Sequence, residues 1–291
     1  MAEGNLILKN WLQQKDVFIE NLIISRKRPT KDSVHDLRVA VKKMRSYLRL
    51  NDEFVKQDWR SSFFEIRDLF KCFGKLRDFD MSLELCRKQE RQWKITLPAF
   101  KEYLSANRSL TRRWTKQAAI KFNEQQPVFS KGVLSDNFQF SFFNGLTVAE
   151  TSTMVIAVAA KKIRRTKRLK KHFYKNAHEI RKELKDVLYW LKICPKEELE
   201  NFADIKHLDT TLKYLGNWQD HYIFKRKIRQ YSADLASKKE NDLFDDLEKK
   251  ISDQQKELLE KAEKKLIQIE SKKATGVVVS KTASAMSGQP T

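Results

Sequence analysis

Apolar residues recur along this chain at spacings of three and four, a period that puts them on one face of an α-helix. Leu6, Leu8, Trp11, Leu12, Val17, Phe18, Leu22 and Ile23 mark a helix over 5–27, ended by Pro29. Asp32 or Ser33 can cap a second helix reaching about residue 50. Trp59, Phe63, Phe64, Ile66, Leu69 and Phe70 predict a third over about 58–73, with Gly74 as its stop. Asp78 is placed to open a fourth that runs to about residue 91, and a fifth follows Pro98 over 99–122. Residues 123–144 contain Pro127 and Gly132 and read as a connector, and their phenylalanines predict that it packs against the body. Helices are then expected at 146–172, 176–193, 197–215, 218–236 and 238–272, with Pro195 and Gly216 as separators. From residue 274 small and polar residues predict a disordered tail.

The second helix carries two stripes. Val34, Leu37, Val41, Met44 and Leu48 form its apolar face, and His35, Arg38, Lys42, Arg45 and Arg49 repeat that spacing one residue on. The basic stripe therefore lies about 100° around the helix from the apolar one. Like charges at i,i+4 cost roughly 0.2–0.5 kcal/mol per pair, so a stack of them points to a polyanion lying along it.

Charge widens the point to the whole molecule. The 291 residues hold 59 Lys+Arg against 38 Asp+Glu, a net charge of +21, which favours nucleic acid, an acidic surface or an inorganic polyanion as partner. With 7 Gly and 5 Pro the chain is poor in turn formers, which argues against a β fold. Cys72, Cys86 and Cys194 lack metal-type spacing and read as core, in a reducing compartment. The N-terminus shows no signal-peptide pattern. The apolar run 146–160 is short for a bilayer and is interrupted by Glu150, so it reads as a buried helix segment. A cytoplasmic protein without a membrane partner is expected.

An internal repeat organises the rest. At an offset of 143, His35, Arg38 and Lys42 meet His178, Arg181 and Lys185, and all five apolar-stripe positions stay apolar. Arg45 meets Leu188, and Lys27-Arg28 meets Lys170-Lys171. At an offset of 142, Phe73-Gly74-Lys75-Leu76-Arg77-Asp78 meets Leu215-Gly216-Asn217-Trp218-Gln219-Asp220. The expected architecture is all-α: two helical bundles from a duplication, over 1–140 and 141–273, which a pseudo-twofold arrangement could set with their basic stripes face to face across a cleft, and 274–291 as tail.

These motifs resemble those of the CHAD family, an α-helical domain named for its histidines. The stretch His35-x-x-Arg38-Val39-x-x-Lys42-Lys43-x-Arg45 and its echo His178-x-x-Arg181-Lys182-x-x-Lys185 carry the likeness. Gly74-Lys75-Leu76-Arg77-Asp78-Phe79-Asp80 is similar to a second family landmark. The resemblance spans roughly 5–270 and implies two pseudo-symmetric four-helix bundles with a basic channel or groove between them, binding of inorganic polyphosphate in that channel, and association with polyphosphate granules. Asp186, Val187 and Leu188 depart from the basic pattern, so the second stripe is thinner. No E-x-E-x-K signature of the triphosphate tunnel metalloenzymes, to which such domains are often fused, is present.

Candidate polyphosphate contacts are accordingly His35, Arg38, Lys42, Lys43, Arg45, Arg49, His178, Arg181, Lys182 and Lys185, with Arg28. Arginine forks onto phosphate oxygens and lysine acts as a mobile point charge. Residues 161–171 are basic at eight of eleven positions, and Arg165, Arg168 and Lys171 share one face, so they join the candidates. Asp78 and Asp80 form a D-x-D that reads as helix capping and ion pairing rather than a metal site. No catalytic residue, metal or cofactor is expected, because the chain lacks a phosphate-cradling Gly-rich loop and a carboxylate cluster. Two alternatives stay open: an RNA- or DNA-binding protein, with nucleic acid otherwise a weaker polyanion ligand, and an enzyme processing polyphosphate or nucleotides.

Overall fold

The computed structural model describes residues 5–56, 59–60, 63–124, 140–199, 205–234 and 238–269. The predicted tail lies outside them, as does most of the connector. The described residues are all-α: α1 (Leu6–Lys27), α2 (Lys31–Asp52), α3 (Phe64–Trp93), α4 (Pro98–Glu124), α5 (Val148–Arg168), α6 (Phe173–Leu191), a single turn α7 (Lys196–Leu199), α8 (Ile205–Asp234) and α9 (Lys238–Gln268). A 3₁₀ turn (Ser141–Phe143) precedes α5 and another (Leu169–His172) joins it to α6.

Local chemistry sets the helix starts. Asn5 caps α1 by accepting from the Leu8 amide. The cap of α2 is Thr30, not Asp32 or Ser33; Ser33 serves instead as the reciprocal partner in a capping box. Thr147 and Glu150 form a second box on α5.

Neither Gly74 nor Gly216 ends a helix. Each lies inside one 30-residue helix, α3 or α8, where four shorter helices were expected. A glycine stop needs the left-handed conformation, which neither adopts, whereas an internal glycine costs only about 1 kcal/mol. Burial of Phe73, Leu76 and Phe79 on α3 offsets that cost. Asp78 is consequently mid-helix and caps nothing. Of the connector's phenylalanines, Phe140 and Phe143 are buried, Phe140 beside Trp11, and Phe142 stacks on Phe54.

Equivalent helices of the two repeats pack on each other, α2 on α6 and α3 on α8. At the α2–α6 crossing Trp190 Nε1 donates to the Ser46 carbonyl at 2.8 Å, fully buried. The apolar interior forms two clusters, and each draws on both repeats. One joins α1, α2, α5 and α6 to the N-terminal parts of α3 and α8 and the C-terminal ends of α4 and α9. The other joins later α3 (Phe79, Leu83, Cys86), early α4, later α8 and early α9 around Phe100, whose ring meets those of Phe224, Tyr231 and Phe244. Along α3 the first cluster ends at Leu76 and the second starts at Phe79; along α8 the corresponding residues are Leu215 and Phe224. A polar layer occupies the interval, and the middle residues of the basic stripes of α2 and α6 are turned toward it.

Candidate anion-binding layer

Arg38 and Lys42 from α2, Arg77 from α3, and Arg181 and Lys185 from α6 crowd this layer. The Arg38 guanidinium lies over the Phe70 ring, 4.2 Å from its centroid, and Nη1 donates to the Phe70 carbonyl at 3.0 Å. It rests on α3 where Gly74 leaves room: a Cβ there would stand 2.7 Å from Nη1. Nε of Arg38 and Nε of Arg181, equivalent atoms of the two repeats, are both sealed from solvent without a hydrogen-bond partner. Arg77 forks onto Asp220, at 2.8 and 3.2 Å.

Protonation energetics record the crowding. Burial, and then the charges of Arg181 and Arg77, push Lys185 down to about 7, against the pull of Asp220. Lys42 falls well below its ordinary value through burial, then through Lys185, Arg38, Arg181 and Arg77. Burial lowers even Arg38, to about 10, although Asp78 opposes the shift. Asp78 is itself raised by burial in spite of Arg38 and Arg77. Five cations thus share the layer with two carboxylates, one of them already forked by Arg77. Such a half-buried excess of positive charge is short of an anion.

The family model of the CHAD domain matches residues 14–229. The chain belongs to the CHAD domain family. The crystal structure of the CHAD domain from the plant Ricinus communis is a similar fold, with a TM-score of 0.67 and 16% sequence identity, covering 91% of this chain and 92% of that one. No curated protein matches the chain.

The structure divides the CHAD histidine motif of this chain. Arg38, Lys42, Arg181 and Lys185 enter the layer, whereas His35 and His178 stand exposed one turn earlier on their helices. His178 Nδ1 lies 3.3 Å from Gln219 Oε1. Several other candidates lie outside the crowded layer. Arg49 is already engaged, its Nε and Nη2 forking onto Asp186 at 2.8 and 2.7 Å; Lys162 reaches the same carboxylate at 3.3 Å. Arg45 is half-buried beside Arg49, Asp186 and Arg67, past the crowded cluster. Lys182 is exposed and pairs with Glu179 at 3.1 Å. Arg165, Arg168 and Lys171 are exposed around the α5–α6 junction, and Arg28 is exposed where α1 ends, beside Arg112. A period of 3.6 assigns a helix face but cannot say where along that face the neighbouring helix turns from ligand to partner.

Lys43 completes a broken symmetry. At the repeat offset, Lys43 corresponds to Asp186 and Arg49 to Lys192. The position related to the Arg49–Asp186 ion pair therefore holds two lysines, and after burial it is Lys192 that lowers Lys43 most.

Arg77 belongs to the layer and was not among the sequence candidates; its signal lay in the Leu76-Arg77-Asp78 landmark. Arg226 and Lys227 also face Asp78. Lys227 sits 3.8 Å from the centre of the Phe79 ring and is lowered by burial and then by Arg226. Among the described residues no group of His, Cys, Asp or Glu could hold a metal ion. Asp78 and Asp80 point to different partners, and Asp80 pairs with Arg108. Cys86 and Cys194 are buried. No described helix is long and apolar enough to cross a membrane.

Proposed function

We propose that this CHAD chain binds inorganic polyphosphate without catalysing its turnover, and that it does so in the polar layer between α2, α6, α3 and α8. The observation that carries the reading is the pair Arg38 and Arg181. Each buries an Nε without a partner, at equivalent positions, inside a cluster whose lysines are pulled below their ordinary values by burial first and by neighbouring cations second. A linear chain of phosphates offers closely spaced oxygens that complete these guanidinium groups and restore the lysine charges together. Counterion release adds to affinity, as it does for nucleic acids. Association with cytoplasmic polyphosphate granules follows from the same chemistry.

The test is a titration of the purified protein with long-chain polyphosphate at low salt, read as thermal stabilisation and by calorimetry. Tight binding, weakened steeply by salt and lost in Arg38→Ala/Arg181→Ala, is the expected result; an unshifted melting curve refutes the reading. RNA serves as a competitor. Because the buried guanidinium groups call for closely spaced phosphate oxygens rather than bases, polyphosphate should displace RNA at fewer phosphate equivalents than the reverse.

A further inference from the structure

Arg28 leads to a second basic cluster, outside the layer just described. It stands where the end of α1, the start of α2, the middle of α3 and α4 come together. Asp80 of α3, nearly fully buried, pairs with Arg108 of α4. Lys31, in the first turn of α2, pairs with Glu84 one turn further along α3. Arg112, one turn beyond Arg108, has an Nε sealed from solvent with no hydrogen-bond partner. Burial lowers its guanidinium, and Arg108 and Arg28 press it further down against the pull of Asp80. Arg108 and Lys31 are paired with Asp80 and Glu84, Asp32 also acts on Lys31, and among the described residues Arg28 and Arg112 have no ion-pair partner of their own.

The basic stripe of α2 joins this cluster to the layer. Lys31, His35, Arg38 and Lys42 fall at i, i+4, i+7 and i+11 on one face, a track of about 16 Å at 1.5 Å per residue. A linear anion leaving the layer past Arg38 and His35 would arrive at Arg28 and Arg112. The second repeat differs at this end of the track, although Lys171, its counterpart of Arg28, is basic and exposed. Its counterpart of Lys31 is Tyr174, which stands beside Glu260 and Glu263 of α9. Like charges there would turn a polyanion away.

We infer that Arg28 and Arg112 form a second phosphate subsite, reached along α2, so that a long polyphosphate emerges from the layer on the α4 side of the molecule. This rests on the polyphosphate reading above and adds a prediction about chain length. Tripolyphosphate is short enough to be held by the layer alone; a long chain engages both places.

The experiment compares tripolyphosphate and long-chain polyphosphate on the full chain, on Arg28→Gln/Arg112→Gln, and on Lys249→Gln/Lys256→Gln, a control of equal charge change on exposed positions of α9. Arg108 is retained so that Asp80 keeps its partner, and a melting curve without ligand confirms that each variant folds. The arginine variant should bind long chains on the order of tenfold more weakly, the loss of a charge-assisted contact. Its salt slope should fall by about 1.4, from two contacts at roughly 0.7 each. Tripolyphosphate affinity should change by less than about twofold, the residue of a screened long-range field. Unchanged long-chain binding in the arginine variant would overturn the subsite while leaving the layer in place. Equal weakening in the control would overturn it as well, by reducing it to general attraction. Failure of the unmodified protein to bind either probe would instead remove the polyphosphate reading on which the subsite depends.

Discussion

Arg38 and Gly74 are in direct contact: the guanidinium occupies the space a side chain at 74 would need, and a Cβ would come within 2.7 Å of Nη1. The related Gly216 has nothing within 4 Å of its would-be Cβ, so the two glycines predict different outcomes. Gly74→Ala should leave a folded protein, because the obstructing group is the tip of a flexible side chain. Arg38 must nevertheless leave the Phe70 carbonyl, and polyphosphate affinity should drop about tenfold, the value of one charged hydrogen bond. Gly216→Ala should bind normally and gain up to about 1 kcal/mol of stability in urea titration. Matching affinities for the two variants would show that Arg38 does not need its seat on α3.

Binding should take up protons. Lys185, held at about 7, is partly neutral above neutral pH when no anion is present, Lys42 is lowered in the same direction, and a bound polyanion raises both. Affinity should therefore fall as pH rises from about 7 to 9. Calorimetry in two buffers of different ionisation enthalpy should report net uptake, and Lys185→Arg should reduce it because arginine stays charged. For the free protein the sign is opposite. The unfolded chain binds more protons than the folded one between about 7 and the ordinary lysine value of roughly 10.4, so the contribution of Lys185 to stability rises with pH across that window. Proton release on binding would place Lys185 away from the ligand.

Arg49→Ala should affect stability and spare binding. The substitution strips a bidentate partner from Asp186, leaving Lys162 on a nearly buried carboxylate. A loss of about 1–3 kcal/mol in denaturant titration is expected, with polyphosphate affinity within about twofold of the unmodified protein. A large affinity loss at unchanged stability would return Arg49 to the site.

Much of this was legible in the sequence, for identifiable reasons. The apolar stripe of α2 is buried in full, and its period gave the helix, its inward face and, by offset, the corresponding face of α6. That Arg38, Lys42, Arg181 and Lys185 enter the polar layer could be read because a basic stripe flanking a buried face must enter whatever polar space adjoins it. What failed needed distances between helices. Gly74 read as a stop because glycine commonly ends helices; its role is to admit a side chain from α2, which no local pattern encodes. Arg49 read as one more member of its stripe, because Asp186, its partner, is 137 residues away. Arg77 comes from a different helix with little basic periodicity of its own and becomes visible only when α3 is laid against α2.

The layer of cations between two apolar clusters sets stability against binding at the same residues. In the free protein Lys42 is a desolvated amine surrounded by like charges, so Lys42→Met should raise the melting temperature of the free protein while weakening its hold on polyphosphate. A directed-evolution screen for heat resistance, run without the anion, would then discard these cations early and return a sturdier helical protein with no ligand; run with polyphosphate present, the same screen would keep them.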